Sequence, residues 1–139
     1  MPSARILIIE DERQTVDTLR DLFEHYGYET EVALNKHVAL SILQERTMDI
    51  IILSIKVQEI PGIEILNDIR KIYPGLPVII ISNQKSKRIE SSFIKAGVNK
   101  YILKPIDNKI ILQTINHLIE ARLAAMVPKK SRSPSRSKK

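Results

Sequence analysis

Cysteine is absent from this 139-residue chain, so neither a disulfide framework nor thiolate chemistry can operate in it. Tryptophan is absent too and aromatics make up only 4%, yet 43% hydrophobic and 27% charged residues are the proportions of an ordinary globular domain. The length suits one hydrophobic core. No apolar run approaches the ~20 residues that a membrane-spanning helix needs. The first run, Ile6-Leu7-Ile8-Ile9, is too short for the core of a signal peptide, and carboxylates follow it at once. A cytoplasmic protein without membrane contact is the simplest expectation.

Acid is missing from one place in particular. Of the 22 basic residues, six (Lys129, Lys130, Arg132, Arg136, Lys138 and Lys139) lie in Pro128–Lys139, which has no acid, so the remaining sixteen balance the 16 acidic residues. The net charge of +6 therefore belongs to a tail, and the body is neutral. A folded domain over 1–126 followed by a basic, disordered tail over 127–139 is expected, since Pro, Lys, Arg and Ser bring nothing to bury. Such a tail can attract nucleic acid or acidic surfaces only non-specifically and in a salt-dependent way.

What is present is a set of short apolar runs: Ile6–Ile9, Ile50–Leu53, Val78–Ile81 and Tyr101–Leu103. They are apolar on both faces, as strands of a covered parallel sheet are. Glu29–Ala33 alternates and suits a strand near an edge. Between the runs lie helical patterns. Val16, Leu19, Leu22, Phe23 and Tyr26 form one, stopped by Gly27. Asn35 caps a second, with Val38, Ala39, Ile42 and Leu43 inward. Ile65, Leu66, Ile69 and Ile72 form a third, stopped by Pro74-Gly75. Ile89, Phe93 and Ala96 form a fourth, ended by Gly97, and Ile111, Ile115, Leu118 and Ile119 form a fifth. Strand and helix alternate five times, which predicts an α/β doubly wound parallel sheet with helices on both faces.

Ligands of such sheets bind beyond the carboxyl ends of the strands. Those ends are polar here: Glu10-Asp11, Ser54, Ser82-Asn83 and Lys104-Pro105. Paired carboxylates can hold a hard cation such as Mg²⁺, and a hydroxyl and a lysine can bind phosphoryl oxygens. Each pair alone is an ordinary solvated loop feature; their coincidence at one sheet edge points to a site.

The same residues carry a resemblance to response-regulator receiver domains, over essentially residues 4–125. Arg5-Ile-Leu-Ile-Ile-Glu-Asp-Glu, Asp49-Ile-Ile-Ile-Leu-Ser54, Pro77-Val-Ile-Ile-Ile-Ser82 and Ala96-Gly-Val-Asn-Lys-Tyr-Ile-Leu-Lys-Pro105 resemble that family's first, third, fourth and fifth strands. The resemblance implies a flavodoxin-like, five-stranded sheet of order 2-1-3-4-5. It also implies metal ligands at Glu10 and Asp11, a switch hydroxyl at Ser82, a switch aromatic at Tyr101 and a phosphate-binding lysine at Lys104. The family's output face, made by its fourth helix, fifth strand and fifth helix, is the implied surface for another signalling protein or a second copy.

One position departs. The family's phosphoacceptor aspartate falls on Ser54, and matching Pro61-Gly62 to the family's Pro-Gly loop would move it to Val57; neither register supplies an aspartate. Asp49 opens its strand, roughly 17 Å from the acidic pair at ~3.3 Å per residue. Lys56 and Gln58 are further departures. A serine hydroxyl needs a base before it can attack phosphorus, and His25, His37 and His117 fall on or near helices, away from the pocket. The expectation is a non-enzymatic, degenerate receiver acting by protein binding. It requires no cofactor and keeps at most a weak Mg²⁺ site of Glu10, Asp11 and the Lys56 carbonyl, with an Asp11–Lys104 pair nearby. Phosphorelay through serine phosphorylation or phosphate binding is the alternative.

Overall fold

The computed structural model describes residues 4–126; the expected basic tail lies outside them. Seven strands and five helices follow in the order β1 (Arg5–Ile9), α1 (Arg13–His25), β2 (Glu29–Ala33), α2 (Lys36–Glu45), β3 (Ile50–Ser54), β4 (Lys56–Val57), β5 (Ile60–Pro61), α3 (Gly62–Ile72), β6 (Val78–Ser82), α4 (Lys87–Lys95), β7 (Lys100–Leu103) and α5 (Asn108–Met126). Five of the strands form one parallel sheet in the order β2-β1-β3-β6-β7. Counting only these five gives the expected order 2-1-3-4-5, with alternating Glu29–Ala33 at one edge.

The pleat divides the core in two. Leu7, Ile9, Ile51, Leu53, Val78, Ile80 and Tyr101 pack with residues of α2, α3 and α4, among them Leu43, Leu66 and Phe93. Ile6, Ile8, Ile50, Ile52, Ile79, Ile81 and Ile102 pack against α1 and α5 through Leu19, Phe23, Ile111 and Ile115. Strands covered on both sides need no polar face, which is why these runs are continuously apolar.

Local chemistry sets the helix ends. The Asn35 side chain accepts from the Val38 N–H at 2.8 Å, and the Ser86 side chain accepts from that of Ile89 at 3.2 Å. Gly27 (φ +90°) and Gly97 (φ +100°) end α1 and α4 in the left-handed region, as expected. Three expected helix positions face outward, Tyr26, Val38 and Ile72; Ile72 is the last residue of α3, whose inward line ends at Ile69. Val38 is exposed because Ala39 and Leu43, one step around the helix, hold the inward line; Tyr26 is exposed because it lies just beyond the last turn of α1.

The hairpin β4–β5 does not announce itself in the sequence. Its turn, Gln58-Glu59, takes φ of 51° and 64°, and neither residue is glycine. Gly62 follows it at a point of contact: a Cβ there would stand 2.5 Å from the Ser54 carbonyl oxygen. That contact ties the start of α3 to the end of β3 and accounts for the glycine.

Candidate functional site

The register of β3 decides which residue reaches the sheet edge. Ile9 is level with Leu53, and Ser54 with Ile81, so Ser54 ends β3 beside the residue that follows β1, Glu10. Ser54, not Val57, is therefore the terminal residue of this strand; Val57 is buried in the hairpin. Asp49 sits at the opposite end, where its carboxylate accepts from the Arg5 N–H at 2.7 Å.

Alternation along the strands then sorts the side chains. Continued past Ile8, Ile52 and Ile102, it sends Glu10, Ser54 and Lys104 to the α1/α5 side, whereas Ser82 and Tyr101 belong to the other face. Glu10, Ser54 and Lys104 indeed line one cavity of ≈ 610 Å³, together with Glu12, Lys56 and Asn83. Glu10 and Ser54 are only 2% and 4% exposed.

The three acids of the first loop have separate tasks. One carboxylate oxygen of Glu10, Oε2, accepts from the N–H groups of Asp11 and Glu12, both at 2.9 Å. Its other oxygen, Oε1, is buried without a hydrogen-bond partner and lies 3.8 Å from Lys104 Nζ. Asp11 does not pair with Lys104; its Oδ2 accepts from the Gln58 N–H at 2.9 Å and so pins the hairpin turn. The residue that does pair with Lys104 is Glu12, whose Oε1 is 3.3 Å from Nζ and also accepts from the Thr15 hydroxyl. The Thr15 hydroxyl first, and Lys104 second, hold the Glu12 carboxyl below its ordinary pKa. Nothing in the sequence distinguished Glu12, as helix-leading acids are usually solvated. Only its place at the start of α1, across from the loop after β7, brings it to Lys104.

Ser82 and Tyr101 are buried and joined. The Tyr101 hydroxyl lies 2.8 Å from Ser82 Oγ and 2.8 Å from the Gln84 carbonyl oxygen, and the Gln84 N–H donates to Ser82 Oγ at 2.8 Å. The ring also packs on Phe93, with centroids 5.9 Å apart. Gln84 thus satisfies both hydroxyls from its backbone, a role independent of side-chain identity and so illegible in the sequence.

This donor set is poor for a divalent cation. Mg²⁺ takes six oxygens in near-octahedral array. Here Ser54 brings a neutral hydroxyl, Asp11 is turned to the hairpin, and an ammonium lies beside the free oxygen of Glu10. Among the described residues no three acidic, histidine or cysteine side chains are grouped to hold a metal.

A five-stranded parallel sheet of this order, with an acidic loop, a hydroxyl, a buried Ser–Tyr pair and a lysine at its carboxyl edge, defines a flavodoxin-like receiver of the CheY type. The chain belongs to the response regulator receiver domain family, whose model matches residues 6–116. It is 37% identical over 110 residues to the NtrX-like response regulator of Rickettsia felis, covering 78% of this chain and 23% of that protein. It is 30% identical over 120 residues to the transcriptional regulatory protein ZraR of Klebsiella oxytoca, covering 86% and 27%. Among solved structures, NtrX from Brucella abortus superposes with a TM-score of 0.85 at 26% identity, over 94% of this chain and 30% of that one. A CheY-like receiver domain from Methanospirillum hungatei gives 0.83 at 25%, over 89% and 99%. The chain spans about a quarter of the length of the curated relatives it matches.

Proposed function

We propose that this receiver domain signals by protein–protein binding without accepting phosphate. The observation that carries the reading is Ser54, which ends β3 beside Glu10 where the family places its aspartate. Transfer of a phosphoryl group to an un-ionised hydroxyl requires a base to take its proton. His25, His37 and His117 are exposed on α1, α2 and α5, and none lines the cavity. Lys104, which would meet the phosphoryl oxygens, is held by Glu10 and Glu12. Charge within the pocket is balanced by side chains alone, and no Mg²⁺ is required.

The Ser82–Tyr101 pair is closed by hydrogen bonds that involve no phosphoryl group. The binding surface is then held in one form, and the face of α4, β7 and α5 is its place. The same proposal makes the domain non-enzymatic and cytoplasmic, with another signalling protein as its partner.

Ser54→Asp tests it. Three carboxylates crowded at one edge repel, so the variant loses stability without metal and regains it with Mg²⁺, while the native protein shows no Mg²⁺ response in a thermal melt. With Mg²⁺ and a small phosphodonor, intact mass detects a phosphoryl group on the variant alone. A phosphoryl group on the native chain would restore the phosphorelay alternative, and an Mg²⁺ response in the native chain would overturn the metal-free pocket.

A further inference from the structure

Ion pairs are unevenly distributed over the molecule. Arg5, Arg13, Arg20, Lys36, Arg46 and Lys56 each meet an acid, as does Lys104. By contrast Lys85, Lys87, Arg88, Lys95, Lys100 and Lys109 are exposed, and among the described residues none forms an ion pair. Between Asn83 and Ile110 the chain carries seven basic side chains and two acidic ones, Glu90 and Asp107, while the rest of it up to Met126 carries nine basic and fourteen acidic. Asp107 is further committed, since its carboxylate accepts from the Ile110 N–H at 3.1 Å.

Among the described residues the seventh exposed cation without an ion pair, Lys71, is at the end of α3; the other six lie on α4, β7, the first turn of α5 or the loop leading into α4. These elements meet at one edge of the molecule: β7 is the last strand of the sheet, α4 covers it on one side through Phe93, and α5 on the other through Ile111 and Ile115. The same elements expose Ile94 (50%), Leu103 (38%) and Ile110 (46%).

We infer that this edge docks an acidic protein segment that also carries apolar side chains. The inference rests on the proposal that α4, β7 and α5 form the binding face, and adds the chemistry of the partner. A second copy joined through the same patch would set like charge against like, because a two-fold interface repeats one surface on both sides. A second copy joined head to tail offers no better match, because most acids of the remaining surface are already paired with its own cations. A nucleic-acid backbone would satisfy the lysines and leave Ile94, Leu103 and Ile110 in water. An acidic segment with leucine-like side chains satisfies both, with charge steering the encounter and apolar burial holding it.

The test uses the full chain, so that residues 127–139 contribute the same background throughout. A fluorescein-labelled amphipathic peptide of glutamate and leucine, poly-glutamate and a DNA duplex are titrated by anisotropy. Circular dichroism melts verify that each variant is folded. Lys87→Glu with Lys100→Glu weakens the Glu/Leu peptide by about tenfold or more. Leu103→Ser with Ile110→Ser weakens that peptide alone and leaves poly-glutamate and DNA unchanged. Peptide binding that ignores both pairs of substitutions overturns the inference, as does DNA binding more tightly than the peptide with the same loss on charge reversal. So does a dimer in sedimentation equilibrium that Ile94→Ser dissociates; the face would then remain a binding surface while its acidic partner failed. Failure of the phosphate-independent reading is seen separately, in the Ser54→Asp melts.

Discussion

Lys104 occupies the centre of the pocket's electrostatics, 3.8 Å from a carboxylate oxygen that has no other partner. Replacing it by methionine keeps the length of the side chain and strips Glu10 of its counter-charge. An uncompensated buried charge is costly, and partial solvent access to Lys104 moderates the loss to about 1–3 kcal/mol. Adding Glu10→Gln removes the stranded charge, so the double variant recovers part of the loss in a denaturant titration. Independent effects of the two changes would show that they do not interact. Tyr28 gives a residue-level pH effect. Burial first, and Glu120 second, raise its phenol above the ordinary 10.0. A raised native pKa means that the fold favours the neutral phenol. The stability this contributes is complete below the unfolded value and is lost as pH rises through the native one. As pH rises above about 10 the native protein therefore loses melting temperature faster than Tyr28→Phe does; parallel curves would refute the shift.

At the scale of elements, the hairpin β4–β5 holds a strained turn against a rigid neighbour. Gln58 sits at φ 51°, where a side chain costs about 1 kcal/mol and glycine does not. Gln58→Gly therefore raises stability only slightly, by up to about 0.5 kcal/mol, since the greater freedom of the unfolded chain offsets much of the gain. Gly62→Ala does the reverse, because its Cβ would stand 2.5 Å from the Ser54 carbonyl and backbone must move. A loss of about 2 kcal/mol or more is expected in urea titration. If Gly62→Ala is neutral, the close approach of α3 to β3 is wrong. The two glycine positions contrast usefully: one would be gained at a strained turn, the other is required by packing.

For the whole molecule, stability resides in the two apolar layers on either side of the sheet. Residues 128–139 have no apolar side chain to add to either. Ending the chain after Val127 should leave the melting temperature within a degree or two, since no apolar area is lost. It should also abolish weak binding to anionic polymers that persists in the Lys87→Glu, Lys100→Glu variant. A large fall in melting temperature would place part of that segment against the body.

Much of this organisation follows from the chain alone. Continuous apolar runs with polar ends, separated by helical periods with glycine stops, dictate a parallel sheet covered on both sides, because no other arrangement buries both faces of every strand. They also place Glu10, Ser54, Ser82 and Lys104 at one edge. Pair contacts were decided only by folding. Asp11 and Glu12 are adjacent and alike, yet one pins the Gln58 turn and the other reaches Lys104, because the start of α1 directs neighbouring side chains to different walls. The ring of hydrogen bonds through Gln84 is made by backbone atoms, which every residue possesses and no sequence pattern marks. The cationic edge likewise arises when α4, β7 and α5 are brought side by side. Sequence periodicity reports which side chains leave water, whereas the choice of partner depends on distances between segments that only the closed fold sets.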